Sequence, residues 1–127
     1  MILDTNALSA LGEGNVALGK LLSGSKRHHL PVIVLGEYRF GLLRSRHRAR
    51  IEEWVQQLER EFTVLDVDSE TARHYARVRE QLRRDGKPIP HSDLWISALA
   101  LQHDLPVASL DAHFDFVTGV KRLTWQQ

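Results

Sequence analysis

The sequence contains no cysteine in its 127 residues, which excludes disulfide bonds and thiolate metal sites and leaves oxygen and imidazole as metal ligands. It also lacks an apolar run of the roughly 18 residues that a membrane-spanning helix needs. Its amino terminus shows no basic segment followed by an apolar stretch, as a secretory signal would. Together these absences predict a cytoplasmic protein that does not enter a membrane.

The net charge is also small, because 17 basic residues nearly balance 16 acidic ones and leave a formal charge of +1. This balance excludes a generally basic nucleic-acid-binding protein. The basic residues are nevertheless clustered, in the segment RSRHRAR (Arg44 to Arg50) and in the pair Arg83 and Arg84. Each cluster has two interpretations, a solvated helix end that favours cations or a surface for a polyanionic partner.

The remaining composition is typical of one soluble globular protein, with 43% hydrophobic and 26% charged residues. A chain of this length buries one continuous core and is too short for two. We therefore expect a single domain over residues 1–127.

Apolar segments of strand character alternate with segments of helical periodicity. MIL, LPVIVL, TVLDV, LPVASLD and VKRLTW are the expected strands, the last of them at a sheet edge. The clearest helix pattern begins at Arg48, where apolar residues recur at spacings of three and four. Alternation of this kind predicts an α/β fold, a three-layer α/β/α sandwich with a mainly parallel central sheet of four to five strands.

Acidic residues stand where this fold places its ligand site, beyond the carboxyl ends of the strands. Asp4 ends the first strand and Asp111 ends the fourth, while Glu37 and Asp93 lie in the first turns of two helices. Asp115 is a fifth candidate. Gathered carboxylates repel one another unless a cation neutralises them, and carboxylate oxygens favour Mg²⁺ or Mn²⁺ over Zn²⁺. Such a site is suited to the hydrolysis of phosphodiesters by a metal-activated water.

Each acid alone also has an ordinary explanation. Asp4 is well placed to cap a helix, Asp93 to complement a helix dipole and Asp111 to shape a turn, and Glu37 is unremarkable on a helix surface. The coincidence of their positions carries the prediction of a site.

Four segments, in order and at the usual spacing, resemble the signature segments of PIN-domain ribonucleases, in particular of VapC-type toxins: MILDTNALSAL, LGEYRFGLL, PHSDLWISALAL and VASLDAHFDFVTGV. The resemblance covers nearly the whole chain. It implies a PIN-like fold with an acidic quartet around the metal, and supporting residues beside it. The implied quartet is Asp4, Glu37, Asp93 and Asp111, and the implied supporting residues are Thr5, Asn6, Ser109 and Asp115.

The same resemblance implies a Mg²⁺- or Mn²⁺-dependent endoribonuclease that acts as the toxin of a toxin–antitoxin pair. It further implies a homodimer and a small antitoxin that obstructs the acidic cleft. In this picture RSRHRAR is a candidate surface for the RNA backbone. His91 and His113 stand two residues from Asp93 and Asp111, and we expect them to form hydrogen bonds in loops rather than to carry protons.

Two alternatives belong to other functional classes. The first is a non-catalytic PIN-like module that binds RNA or protein, in which the acids are caps or receive a partner's arginine. The second is a receiver-like phosphoacceptor domain, which is disfavoured because a basic residue after the last strands is not clearly placed and Glu37 lies on a helix.

Overall fold

A computed structural model describes residues 1–125. Within them, five short strands alternate with six α-helices and one 3₁₀ helix. The elements in chain order are β1 (Ile2–Leu3), α1 (Thr5–Gly12), α2 (Val16–Ser23), β2 (His29–Pro31), α3 (Val32–Leu42), α4 (Arg48–Glu61), β3 (Thr63–Leu65), α5 (Ser69–Asp85), α6 (His91–His103), β4 (Val107–Ala108), the 3₁₀ helix (Ala112–Phe116) and β5 (Arg122–Leu123).

The strands form one parallel sheet in the order β3-β2-β1-β4-β5. Ile2 in the central strand pairs with His29 of β2 on one side and Val107 of β4 on the other. From β1 the chain adds β2 and then β3 on one side of the sheet, and afterwards it adds β4 and then β5 on the other side. The strand order therefore reverses between β1 and β4, which is where open parallel sheets form their ligand sites.

The two strands beside this switch point are completely covered. Ile2, Leu3, Val107 and Ala108 have no exposed surface, as expected of parallel strands with helices on both faces. The five-stranded parallel α/β sheet confirms the predicted fold class, and β5 lies at an edge as predicted.

One predicted strand is wrong over most of its length. In the segment LPVIVL, β2 ends at Pro31 and the residues from Val32 onward begin α3. A short apolar run has no periodicity that separates a buried strand from a buried helix. Here burial of Val34 and Leu35 against the core outweighs the strand preference of β-branched residues.

The helix ends follow their sequence signals closely. Asn15 caps α2 through a hydrogen bond to the Leu18 amide, and Asp68 caps α5 through the Thr71 amide. Gly86 ends α5 in the left-handed conformation at φ 65°, which glycine adopts without strain. Within residues 1–125, no helix combines the length and apolar character that crossing a membrane requires.

Candidate active site

The four predicted acids line one cleft of about 240 Å³ beyond the carboxyl ends of β1 and β4. Its walls come from α1, α3, the start of α6 and the loop after β4. The lining residues are Asp4, Thr5, Asn6, Glu37, Pro90, Ser92, Asp93, Ile96 and Asp111. Side chains from segments far apart in the chain thus share one small space.

Asp4 is the most deeply buried of the acids, with 4% of its surface exposed. Its extended backbone makes it the N-cap of α1, where one carboxylate oxygen accepts a hydrogen bond from the Ala7 amide at 2.9 Å. Burial raises the pKa of Asp4 to about 6, and repulsion from Asp93 and Asp111 adds to that rise against the opposing effect of its hydrogen bonds.

Ser109 connects Asp4 to the strand on the other side of the switch point. Its fully buried hydroxyl donates to the second carboxylate oxygen of Asp4 and accepts from the Asp111 amide at 2.9 Å. Asn6 makes a parallel link, because its side-chain oxygen accepts from the Leu110 amide at 3.2 Å. These bonds fix the loop after β4 against the start of α1.

Asp93 and Asp111 lie on either side of one imidazole. The Nδ1 atom of His113 is 3.0 Å from Asp93 Oδ2 and 2.9 Å from Asp111 Oδ1. One ligand atom from each of these three residues lies within 4.8 Å of the others, a spacing that one metal ion can bridge. Burial raises the pKa of Asp93, and the charges of Asp111 and Glu37 raise it further, whereas the bond to His113 opposes the rise.

The sequence predicts that His113 forms a hydrogen bond within a loop, but its ring contacts two acids of the cleft instead. The 3₁₀ helix after β4 begins at Asp111, whose side chain caps it by accepting from the His113 amide at 2.9 Å. This single turn brings the ring back toward the acids. The spacing of two residues from Asp111 was the available signal, but the contact with Asp93 depends on tertiary structure.

Glu37 is the exposed member of the group. It projects from α3, and its Oε1 atom accepts a hydrogen bond from the Thr5 hydroxyl at 3.0 Å. Thr5 follows Asp4 directly, so the first turn of α1 positions two of the acids at once.

Two other candidates are placed differently. Asp115 forms a bidentate ion pair with Arg122, at 2.9 Å for both contacts, which holds its pKa below the usual range. His91 bonds through Nδ1 to the Tyr75 hydroxyl at 2.9 Å, in a groove on the other side of the first turn of α6. The structure therefore brings the quartet together with Thr5, Asn6 and Ser109, and it pairs Asp115 with Arg122 instead.

The donor set of the cleft fits a hard divalent cation. Its lining, which lies wholly in the described part of the chain, includes four carboxylates and neither lysine nor arginine. The pKa values of Asp4 and Asp93 are raised, so ionising these two carboxyl groups costs free energy in the metal-free cleft. A cation with oxygen ligands removes that cost, and the nearby imidazole is also acceptable to Mn²⁺.

The family model of the PIN domain matches residues 1–119. Ribonuclease VapC5 of Mycobacterium tuberculosis is 32% identical over 125 residues, a match that covers 93% of this chain and 87% of that protein. The chain belongs to the PIN-domain family and is of the VapC type.

Solved structures have the same fold as this PIN domain. VapBC-5 of M. tuberculosis, a member of the VapBC family of toxin–antitoxin systems, contains a chain with a TM-score of 0.71 and 27% identity, covering 99% of this chain and 97% of that one. DNA-bound VapBC from Salmonella typhimurium contains a chain with a TM-score of 0.87 and 24% identity, covering 98% and 97%. At that lower identity, the second match supports the fold alone.

Proposed function

We propose that this protein is a Mg²⁺- or Mn²⁺-dependent endoribonuclease and the toxin of a toxin–antitoxin pair. The observation that carries the proposal is the cleft itself, in which carboxylates from four separate segments meet and two of them have raised pKa values. Enzymes that transfer or hydrolyse phosphate esters use such carboxylates to hold divalent ions.

The residues have distinct roles in this proposal. Asp4, Glu37, Asp93 and Asp111 hold the cation. A divalent ion there supplies charge neutralisation for a phosphodiester and a more acidic water. Ser109 donates to Asp4 and so favours its ionised form, while Thr5 orients Glu37 through its hydroxyl.

The relatives support the choice of partners in this proposal. The curated relative is named a ribonuclease, and the VapBC-5 structure is described as a toxin–antitoxin system. By analogy we assign to this chain an RNA substrate, a small antitoxin that places a basic side chain in the acidic cleft, a homodimeric state and a cytoplasmic location. Exposed arginines at positions 44, 46, 48 and 50 add a basic surface for the RNA backbone.

The proposal is tested by RNA cleavage during titration with Mg²⁺ or Mn²⁺. Parent protein is expected to cleave with either ion and to lose activity in excess chelator. Asp93→Asn removes one carboxylate and should abolish cleavage while its circular dichroism and melting remain like those of the parent. The matched control is Asp66→Asn, an exposed acid outside the cleft, which should keep full activity.

Full activity in excess chelator would refute the metal mechanism. Folded parent protein that cleaves no RNA with either ion would instead support the non-catalytic PIN-like module. The contact of His113 with both Asp93 and Asp111 gives that alternative a structural basis, because the imidazole contacts both carboxylates without a metal ion.

A further inference from the structure

A second and larger cavity, of about 700 Å³, lies between α5, from Tyr75 onward, and the start of α6. We call it the α5–α6 groove. Its lining residues are Tyr75, Ala76, Arg79, Glu80, Leu82, Arg83, Gly86, Pro88, Ile89, His91 and Leu94. The groove and the acidic cleft share the first turn of α6, with His91 in the groove and Asp93 in the cleft.

The groove has an apolar floor and a basic rim. Leu82, Ile89 and Leu94 are buried and form a small cluster apart from the main core. Arg79 and Arg83 are exposed at the rim. Arg83 pairs with Glu80 at 2.5 Å, whereas the hydrogen bond found for Arg79 within residues 1–125 goes to the Tyr75 hydroxyl at 3.2 Å. The charge of Arg79 is therefore available to an anion.

Two aromatic rings, of Tyr75 and His91, form part of the groove wall. The Tyr75 ring stacks on Trp95, with centroids 4.1 Å apart and an angle of 21° between planes. The His91 ring lies 6.4 Å from Tyr75 at the same angle. Because Arg79 and His91 both bond to the Tyr75 hydroxyl, this aromatic wall has a fixed orientation.

We propose that the α5–α6 groove binds one nucleotide of single-stranded RNA next to the bond that the acidic cleft cleaves. This inference rests on the proposed function, and it assigns that activity a subsite for base selection. The base packs on the apolar floor beside Tyr75 and His91, and the Arg79 guanidinium contacts the adjoining phosphate. Single-stranded nucleic acids are bound in this way, by aromatic stacking in a basic groove.

Two observations favour RNA over a second copy of the chain or an apolar peptide. The first is charge complementarity, because the Arg79 guanidinium, which has no ion pair within residues 1–125, attracts a phosphate and is costly to bury against an apolar partner. The second is continuity, because the groove begins two residues from Asp93 on the same helix. A strand whose scissile phosphate lies in the cleft has to cross the first turn of α6 to reach the groove, and the proposal assigns it that path.

The first test measures RNA binding without cleavage. Asp93→Asn is used as the background, and the anisotropy of a labelled single-stranded RNA is followed at several salt concentrations. Arg79→Gln should weaken binding about three- to tenfold and reduce the log–log salt slope by roughly 0.7, the value for one phosphate contact. Arg77→Gln, an exposed arginine two residues away on α5 and outside the groove, is the matched control and should leave both quantities unchanged.

The second test uses protein in which the four acids of the cleft are unchanged, and it maps the products of cleavage of a randomised RNA. Tyr75→Leu keeps an apolar side chain but removes the stacking face, and it should lower kcat/KM about tenfold and flatten the base preference at one position beside the cut. Tyr75→Phe keeps the ring but loses the hydroxyl that bonds to Arg79 and His91, so its base preference should lie between those of the parent and Tyr75→Leu. An unchanged cleavage pattern in Tyr75→Leu would overturn the proposal.

The outcomes separate this proposal from the proposed function. If parent protein cleaves RNA while Arg79→Gln and Arg77→Gln behave alike in binding, the groove assignment fails and the nuclease stands. If parent protein cleaves no RNA, the nuclease assignment fails, and a selective loss of binding in Arg79→Gln then supports RNA binding by the groove but not a subsite beside a cleaved bond. If sedimentation shows that Arg79→Gln halves the mass of the particle, the groove is an interface between copies and the assignment is wrong.

Discussion

Asp4 and Asp68 occupy the same local position at two places in the sheet. Each follows a strand in extended backbone conformation and caps the next helix. Each accepts a hydrogen bond from a backbone amide in the first turn, Asp4 from Ala7 at 2.9 Å and Asp68 from Thr71 at 3.0 Å. In backbone conformation and in this amide bond the two caps are alike, although Asp68 also forms a reciprocal capping box with Thr71.

Their surroundings make them chemically different. Asp68 is exposed, and the Thr71 amide, the Thr71 hydroxyl and the Gln102 side chain all donate to it, so its pKa lies below the usual range. Asp4 is buried near Asp93 and Asp111, and its pKa rises to about 6. Asp68 follows the edge strand β3, whereas Asp4 follows the central strand β1 at the switch point. Position in the sheet, rather than the cap, therefore distinguishes the carboxylate that we propose as a metal ligand from one that only caps a helix.

The largest expected difference between these two caps is in catalysis. Asp4→Asn preserves the shape and capping ability of the side chain but removes its charge, so RNA cleavage should fall about a thousandfold, or about 4 kcal/mol in barrier. Asp68→Asn should keep parental activity. Initial rates at saturating Mn²⁺, measured on variants with confirmed folding, test this, and equal losses in both would contradict the comparison.

The second difference is in the pH dependence of stability. The ordinary pKa of Asp4 is 3.8 and its folded value is about 6, so between these values the folded state binds more protons than the unfolded state. The free energy of unfolding of metal-free protein should therefore fall as pH rises from about 4 to 6, by about 3 kcal/mol from this residue. Urea denaturation in chelator at a series of pH values measures it.

Asp4→Asn serves as the control for that pH series, since it lacks the ionisable group and should show a smaller decline. Added Mn²⁺ should restore stability to the parent above pH 6, because the ion binds the folded state. If the free energy of unfolding changes with pH in the same way in the parent and in Asp4→Asn, then ionisation of Asp4 does not destabilise the folded state.

A smaller effect is expected at Ser109. Ser109→Ala leaves one oxygen of Asp4 and the Asp111 amide without their buried partner, and it should lower kcat/KM about tenfold, as losses beside metal ligands do. Loss of that bond also raises the pKa of Asp4, so the pH–rate profile should shift upward.

Ser97→Ala is the matched control, because the Ser97 hydroxyl is equally buried but has no hydrogen-bond partner within residues 1–125. It should leave kcat/KM and the pH–rate profile unchanged. If the two alanine variants behave alike, the link from Ser109 to Asp4 has no catalytic importance.

The smallest effect concerns the structural cap alone. Asp68→Ala removes the acceptor for the Thr71 amide and should destabilise the protein by about 1 kcal/mol, the usual value for a lost N-cap. Chemical denaturation at pH 7 measures the loss, and kcat/KM at a temperature below melting should be unchanged. A loss of activity without a loss of stability would assign Asp68 a role in function.

The sequence predicted most of the fold because its local signals agree with the tertiary structure. The caps Asn15, Asp68 and Gly86 lie at the helix ends that their residue types favour. It failed after Pro31, where an apolar run was interpreted as strand. Without a periodic pattern, only the packing of Val34 and Leu35 decides between strand and helix.

The gathering of the acids was predictable for a different reason, which is that a parallel sheet brings the carboxyl ends of its strands to one edge. The finer contacts were not. Ser109 and Asp4 are 105 positions apart in sequence, and the His113 ring reaches Asp93 only through the turn after β4. Such contacts depend on side-chain conformation and tertiary packing, which residue spacing does not encode.

The most direct test of the central claim is calorimetric titration of metal-free protein with Mn²⁺, compared with Asp93→Asn under the same conditions. We predict saturable binding to the parent protein and its loss in the variant. Equal binding to both proteins, or no saturable binding to the parent, would contradict the account.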